Sequence, residues 1–132
     1  MSAAENKQLL QQIFAEMAKG NSKPLVESMA DDFSWTVSGT TQWSRTYAGK
    51  YAVLNELFAT LRSHMAGRIT TIAHRFIAED DLVAVEARGS NTTTSGKPYN
   101  NTYCFVFRVA NGKLKEVTEY LDTLLVTNTL SE

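Results

Sequence analysis

Three charged side chains in the second half of the chain have types and spacing suited to moving protons. Glu86 and Arg88 stand two apart in Leu82-Val-Ala-Val-Glu-Ala-Arg88, and Asp122 ends Lys113-Leu-Lys-Glu-Val-Thr-Glu-Tyr-Leu-Asp122. The two-residue repeat of a strand places Glu86 with Arg88 on one face, and Thr118, Tyr120 and Asp122 on one face of theirs. If both faces line a cavity, Glu86, Arg88 and Asp122 form an acid–base–acid set. A neighbouring cation lowers a carboxylate pKa and desolvation raises it. A carboxylate balanced near neutrality can take a proton from carbon next to a carbonyl, or activate a water. The competing reading makes Glu86 and Arg88 an ion pair that ties strands together, and leaves Asp122 in solvent.

A second set could orient a ligand. Asn101 and Tyr103 alternate with Phe105 and Phe107, so an amide and a phenol share a mostly aromatic face. Trp35 shares a face with Phe33 and Val37. Phe14 and Met17, then Tyr51, Leu54 and Phe58, recur at helical spacing and read as core. Trp43 stands alone in a hydroxyl-rich stretch, where it could cover a pocket mouth or cap a sheet. His64 suits a helix C-terminus. His74 reads as exposed or hydrogen-bonded, and Cys104 as a small buried hydrophobe.

The elements that must position these groups follow from pattern. Leu9, Leu10, Ile13, Phe14 and Met17 predict a first helix, stopped by Gly20-Asn21. Ser22-Lys-Pro24 predicts a second, with Ser22 as its cap. Phe33–Val37 alternates as a strand, 38–46 reads as a loop, and the stretch from Gly49 through Leu61 returns to helix. Strands are expected over 68–78, 82–94, 99–109 and 113–122. Asn111-Gly112 is a strong hairpin signal, because both residues tolerate positive φ. Thr123–Glu132 is expected to extend the last strand or to trail as a tail. Helices followed by a strand meander indicate an α+β fold in a single domain over residues 1–132, with a bent sheet around about three helices and a cavity at its mouth.

Composition narrows the partners. A net charge of −1 gives no general attraction to nucleic acid or anionic lipid. No apolar run approaches the ~20 residues that span a bilayer. The first residues do not read as a secretory leader, so cytoplasmic residence is the expectation. One cysteine, two histidines without H-x-x-x-H spacing and no glycine-rich phosphate loop predict a protein without a metal or other cofactor.

Five stretches carry a family likeness: Trp35-Thr-Val-Ser-Gly39, Tyr47-Ala-Gly-Lys50, Val83-Ala-Val-Glu-Ala-Arg88, Gly96-Lys-Pro-Tyr-Asn-Asn-Thr-Tyr103, and Gly112-Lys-Leu with Glu119-Tyr-Leu-Asp-Thr123. In this order they resemble the cone-shaped α+β superfamily of nuclear transport factor 2, and within it the SnoaL-like group named for a polyketide cyclase. The likeness implies an antiparallel or mixed sheet around the helices, a ligand cavity, and homodimers paired through the outer sheet face. It implies that Asp122 is an acid/base, and that Phe14, Met17, Trp35, Trp43, Tyr51, Leu54, Phe58, Asn101, Tyr103 and Tyr120 touch the ligand. Ketosteroid isomerase needs companion acids that 34–47 and 99–109 lack. Limonene epoxide hydrolase has its arginine before its aspartate, the reverse of Glu86 and Arg88. The expected function is acid/base chemistry of isomerase, cyclase or hydration type on an apolar, oxygenated small molecule. The alternative is a non-catalytic ligand-binding or dimeric interaction module, since this fold hosts both.

Overall fold

Ser2 and Glu5 close a reciprocal cap. Ser2 Oγ accepts from the Glu5 N–H at 3.1 Å, and Glu5 Oε1 accepts from the Ser2 N–H at 2.9 Å. Helix α1 (Ala3–Met17) starts there and buries Leu10, Ile13 and Phe14. A computed structural model describes residues 1–131. Gly20, at φ 77°, ends the turn after α1. Helix α2 (Lys23–Ser28) follows, but Ser22 makes no side-chain cap; Asn21 Oδ1 accepts from the Lys23 N–H instead. Strand β1 (Met29–Val37) starts earlier than the alternation suggested, and β2 (Thr46–Ala48) pairs back on it.

A continuous helical run then holds α3 (Lys50–Ala52), a π-helical segment (Val53–Phe58) and α4 (Ala59–His64). Strands β3 (Met65–Ala66) and β6 (Thr92–Thr93) form a small ribbon. The main sheet adds β4 (Thr71–Glu79), β5 (Leu82–Gly89), β7 (Thr102–Ala110) and β8 (Lys113–Leu121), in the order β2-β1-β8-β7-β5-β4. All its pairs are antiparallel except β1 with β8. The fold is therefore α+β, with helices over one face of a mixed sheet.

Thr123–Leu130 neither extends the last strand nor trails as a tail, and Glu132, the end of that expected segment, lies outside the described residues. Helix α5 (Thr123–Leu130) follows β8 directly and buries Val126 and Leu130. Trp43 Nε1 and Gln42 Nε2 both donate to the Leu130 carbonyl at 3.3 Å, satisfying one of the free carbonyls at the helix end. Among the described residues, no helix is long and apolar enough to cross a membrane.

The core lies between the helices and the inner sheet face. Phe33, Phe107, Val83, Val85, Leu114 and Val117 are all 0–1% exposed. The outer face carries the alternate residues. One cross-strand row there runs Arg75, Glu86, Cys104, Tyr120, and the next runs Ile77, Ala84, Val106, Thr118, Thr36.

Candidate active site

The β7–β8 hairpin decides which side chains of β8 look inward. A regular hairpin closed at Asn111-Gly112 would pair Phe105 with Thr118 and Phe107 with Glu116. Ala110 does pair with Lys113 and Val109 with Leu114, but Arg108 pairs with Glu116. Lys115 is thus an extra residue, a β-bulge, and it reverses the facing of the rest of β8. Phe107 now meets Val117 and Phe105 meets Glu119. A carboxylate is carried onto the apolar face.

Glu119 lines a cavity of about 310 Å³, the size of a small ligand site. Trp35, Tyr103 and Phe105 line it from the sheet, Met17 from α1 and Leu25 from α2. The helical run contributes Leu57, Phe58 and Leu61. Leu57 and Phe58, adjacent in the π-helical segment, both line the cavity, and such segments are frequent at functional sites. Rings meet edge to face around it: Trp35 and Phe58 at 5.3 Å, Trp35 and Phe105 at 6.0 Å. Tyr103 stacks on Phe105 at 4.9 Å. The exposed members, Ser22, Arg62, Gly67 and Arg68, mark the mouth. Two broader depressions, one over the N-terminus and one beside Lys19–Lys23, are open to solvent and carry no aromatic lining.

The electrostatics centre on Glu119. Trp35 Nε1 donates to Glu119 Oε1 at 2.8 Å. Glu119 is partly buried and lines the cavity. Desolvation pushes its pKa from 4.5 up to about 7, against the lowering effect of the Trp35 hydrogen bond. Burial also pushes Tyr103 well above its usual range, with Tyr99 and Glu119 adding to the rise. The Tyr103 phenol is therefore a neutral donor at physiological pH. Tyr99 lies behind it, and burial raises it to about 12.

The SnoaL-like domain family matches residues 10–117. The chain belongs to the SnoaL-like family. No curated protein gives a significant match. Solved structures give the same fold over nearly the whole chain. An NTF2-like protein from Burkholderia xenovorans LB400 is 24% identical, with a TM-score of 0.75 and 99% of each chain covered. A putative SnoaL-like polyketide cyclase from Jannaschia sp. CCS1 is 18% identical, with a TM-score of 0.79, covering 98% of this chain and 93% of its own. A putative isomerase from Bacillus subtilis is 19% identical, with a TM-score of 0.75, covering 98% of this chain and 96% of its own.

Within this SnoaL-like cone, the expected acid–base–acid set does not assemble. Asp122 is exposed and caps α5, its Oδ1 accepting from the Leu125 N–H at 3.1 Å. Glu86 and Arg88 do share a face, but it is the outer one, because Val83, Val85 and Ala87 fill the core. Glu86 Oε1 lies 2.7 Å from Arg75 Nε, an ion pair without hydrogen-bond alignment, which leaves that oxygen unbonded. Arg88 is exposed beside Thr102.

Four of the expected ligand contacts, Met17, Trp35, Phe58 and Tyr103, line the cavity. The others lie elsewhere. Phe14 is buried beneath it, against Phe76, Phe105 and Phe107. Leu54 packs on the core, and Tyr51 is 78% exposed on the helical surface. Tyr120 is 51% exposed on the outer sheet face. Trp43 is buried against Leu130, capping the fold rather than covering the mouth. Asn101 is wholly buried and structural. Its Nδ2 donates to Tyr99 Oη and to the Asp122 carbonyl, and its Oδ1 accepts from the Asp122 N–H. The residue that sequence reasoning missed is Glu119, whose signal was its two-residue spacing from Val117 and Leu121.

Proposed function

We propose that this SnoaL-like protein is an acid/base catalyst on a small, largely apolar molecule bearing a carbonyl, with Glu119 as the group that moves the proton. The observation that carries this is a carboxyl in the lining of an aromatic cavity, hydrogen-bonded by Trp35, where desolvation raises its pKa to about 7. A base poised at the working pH combines a useful ionised fraction with real basicity. In the ionised form, Glu119 takes a proton from the carbon next to the carbonyl. The C–H electron pair moves into a carbon–carbon double bond, and the carbonyl oxygen becomes an enolate. The neutral Tyr103 phenol donates a hydrogen bond to that oxygen, a stabilisation that grows as the charge forms. Glu119 then returns the same proton to another carbon, giving an isomer; or the enolate carbon attacks a second carbonyl of the substrate, closing a ring, and the resulting alkoxide takes the proton back from Glu119. Both outcomes balance without a further reagent. Structural relatives described as a polyketide cyclase and an isomerase fit this class.

The test is solvent-label exchange. A panel of cyclic ketones and enones in deuterated water should show deuterium entering next to the carbonyl, followed by NMR. Glu119→Gln should slow this by about 10²-fold or more. Equal exchange by both proteins would leave a binding module, the rival reading, as the better account.

A further inference from the structure

Two arginines at the cavity mouth make no ion pair among the described residues. Arg62 from α4 and Arg68 from the turn before β4 both line it. Among the described residues, the ion pairs use Lys19, Arg45, Arg75, Arg108 and Lys115, and neither mouth arginine is among them. The one carboxylate in the cavity lining, Glu119, is held by Trp35 and bridges to neither. Arg68 is also seated. A Cβ on Gly20 would stand 2.9 Å from Arg68 Cβ and 3.1 Å from its Cδ, so the arginine stem lies directly on the glycine backbone. Gly20 holds φ 77°, which glycine adopts freely. A bare glycine thus makes room for a cation at the rim of an apolar chamber.

We infer that the natural ligand is an amphipathic carboxylate, with an apolar ring system against Trp35, Phe58 and Phe105 and its carboxylate between Arg62 and Arg68. Guanidinium groups pair with carboxylates in a planar, two-point geometry that also orients the ligand. The carboxylate at the mouth sets which end of the molecule enters first, so the opposite end meets Glu119. This assigns a substrate class to the site and rests on the acid/base reading for its catalytic meaning, while its binding prediction stands apart from it.

Matched pairs test it: 2-naphthoate against 2-naphthamide, and cyclohexanecarboxylate against its amide. Dissociation constants come from calorimetry, with the Trp35 indole N–H resonance reporting entry into the cavity. The wild type should prefer the acid of at least one pair by about tenfold, and added salt should erode the preference. Arg62→Gln/Arg68→Gln should abolish it and leave amide binding unchanged, which also reports that the variant is folded. No preference for the acid in either pair overturns the inference, as does a preference that survives the double substitution. Glu119→Gln should keep the preference. If it keeps the preference and also keeps label exchange, the acid/base reading fails and this inference stands.

Discussion

Trp35 and Glu119 meet through a single hydrogen bond of 2.8 Å, donated by the indole across the parallel junction of β1 and β8. The bond keeps the Glu119 pKa from rising as far as burial alone would take it. Trp35→Phe keeps an aromatic wall and removes the donor. The Glu119 pKa should then rise above about 7, read by carbon-13 NMR titration of the carboxyl. A fall would mean that water enters and solvates the carboxylate.

A raised carboxyl pKa carries a stability signature of definite sign. The folded chain holds the Glu119 proton to about pH 7, whereas the unfolded chain releases it near 4.5. Folding therefore takes up a proton in that window. The neutral form is fully favourable below 4.5, and stability is lost as pH rises through about 7. The loss amounts to at most about 3 kcal/mol above the window. Glu119→Gln should remove this slope and be the more stable protein at about pH 8. Urea unfolding of both proteins across the window measures it.

Asp122→Ala should cost about 1 kcal/mol, the worth of a helix N-cap, and Asp122→Asn much less. Neither should change label exchange, because the side chain faces α5 and not the cavity. Denaturant midpoints and the exchange assay check the two halves separately.

Asn101→Leu removes partners from three groups at once: the Tyr99 hydroxyl and the N–H and carbonyl of Asp122. Leaving buried polar groups unpaired should destabilise the protein by about 2–5 kcal/mol. Hydrogen exchange at the Asp122 amide should quicken well beyond the global change.

Much of the fold was legible, and the places where reading failed share a cause. Helical spacing in α1, the Asn111-Gly112 turn and the alternation of β5 and β7 each follow from local rules, and each element is present. Asp122 was read as an acid/base from the family likeness, whereas it caps α5, and the bulge at Lys115 inverts β8 so that Glu119 takes the inward place. Glu86 and Arg88 were correctly assigned a common face, but alternation alone does not say which face is inside. Val83 and Val85, alternating with Glu86, carried that information. Helix α5 was missed because Thr123–Leu130 is rich in β-branched residues, and its cap is the same Asp122 that drew attention as an acid.

The parallel contact of β1 with β8 also sets an order of events. Trp35 and Glu119 are 84 positions apart in sequence. A chain emerging from the ribosome can close the β7–β8 turn locally, but β1 must wait for the last strand before its inner edge is covered. Bringing such distant segments together is the entropically costly step of folding. The Trp35–Glu119 contact is therefore among the last parts of the molecule to form. Until then Phe33 and Trp35 sit on an unpaired strand edge, the kind of surface that invites association between nascent chains.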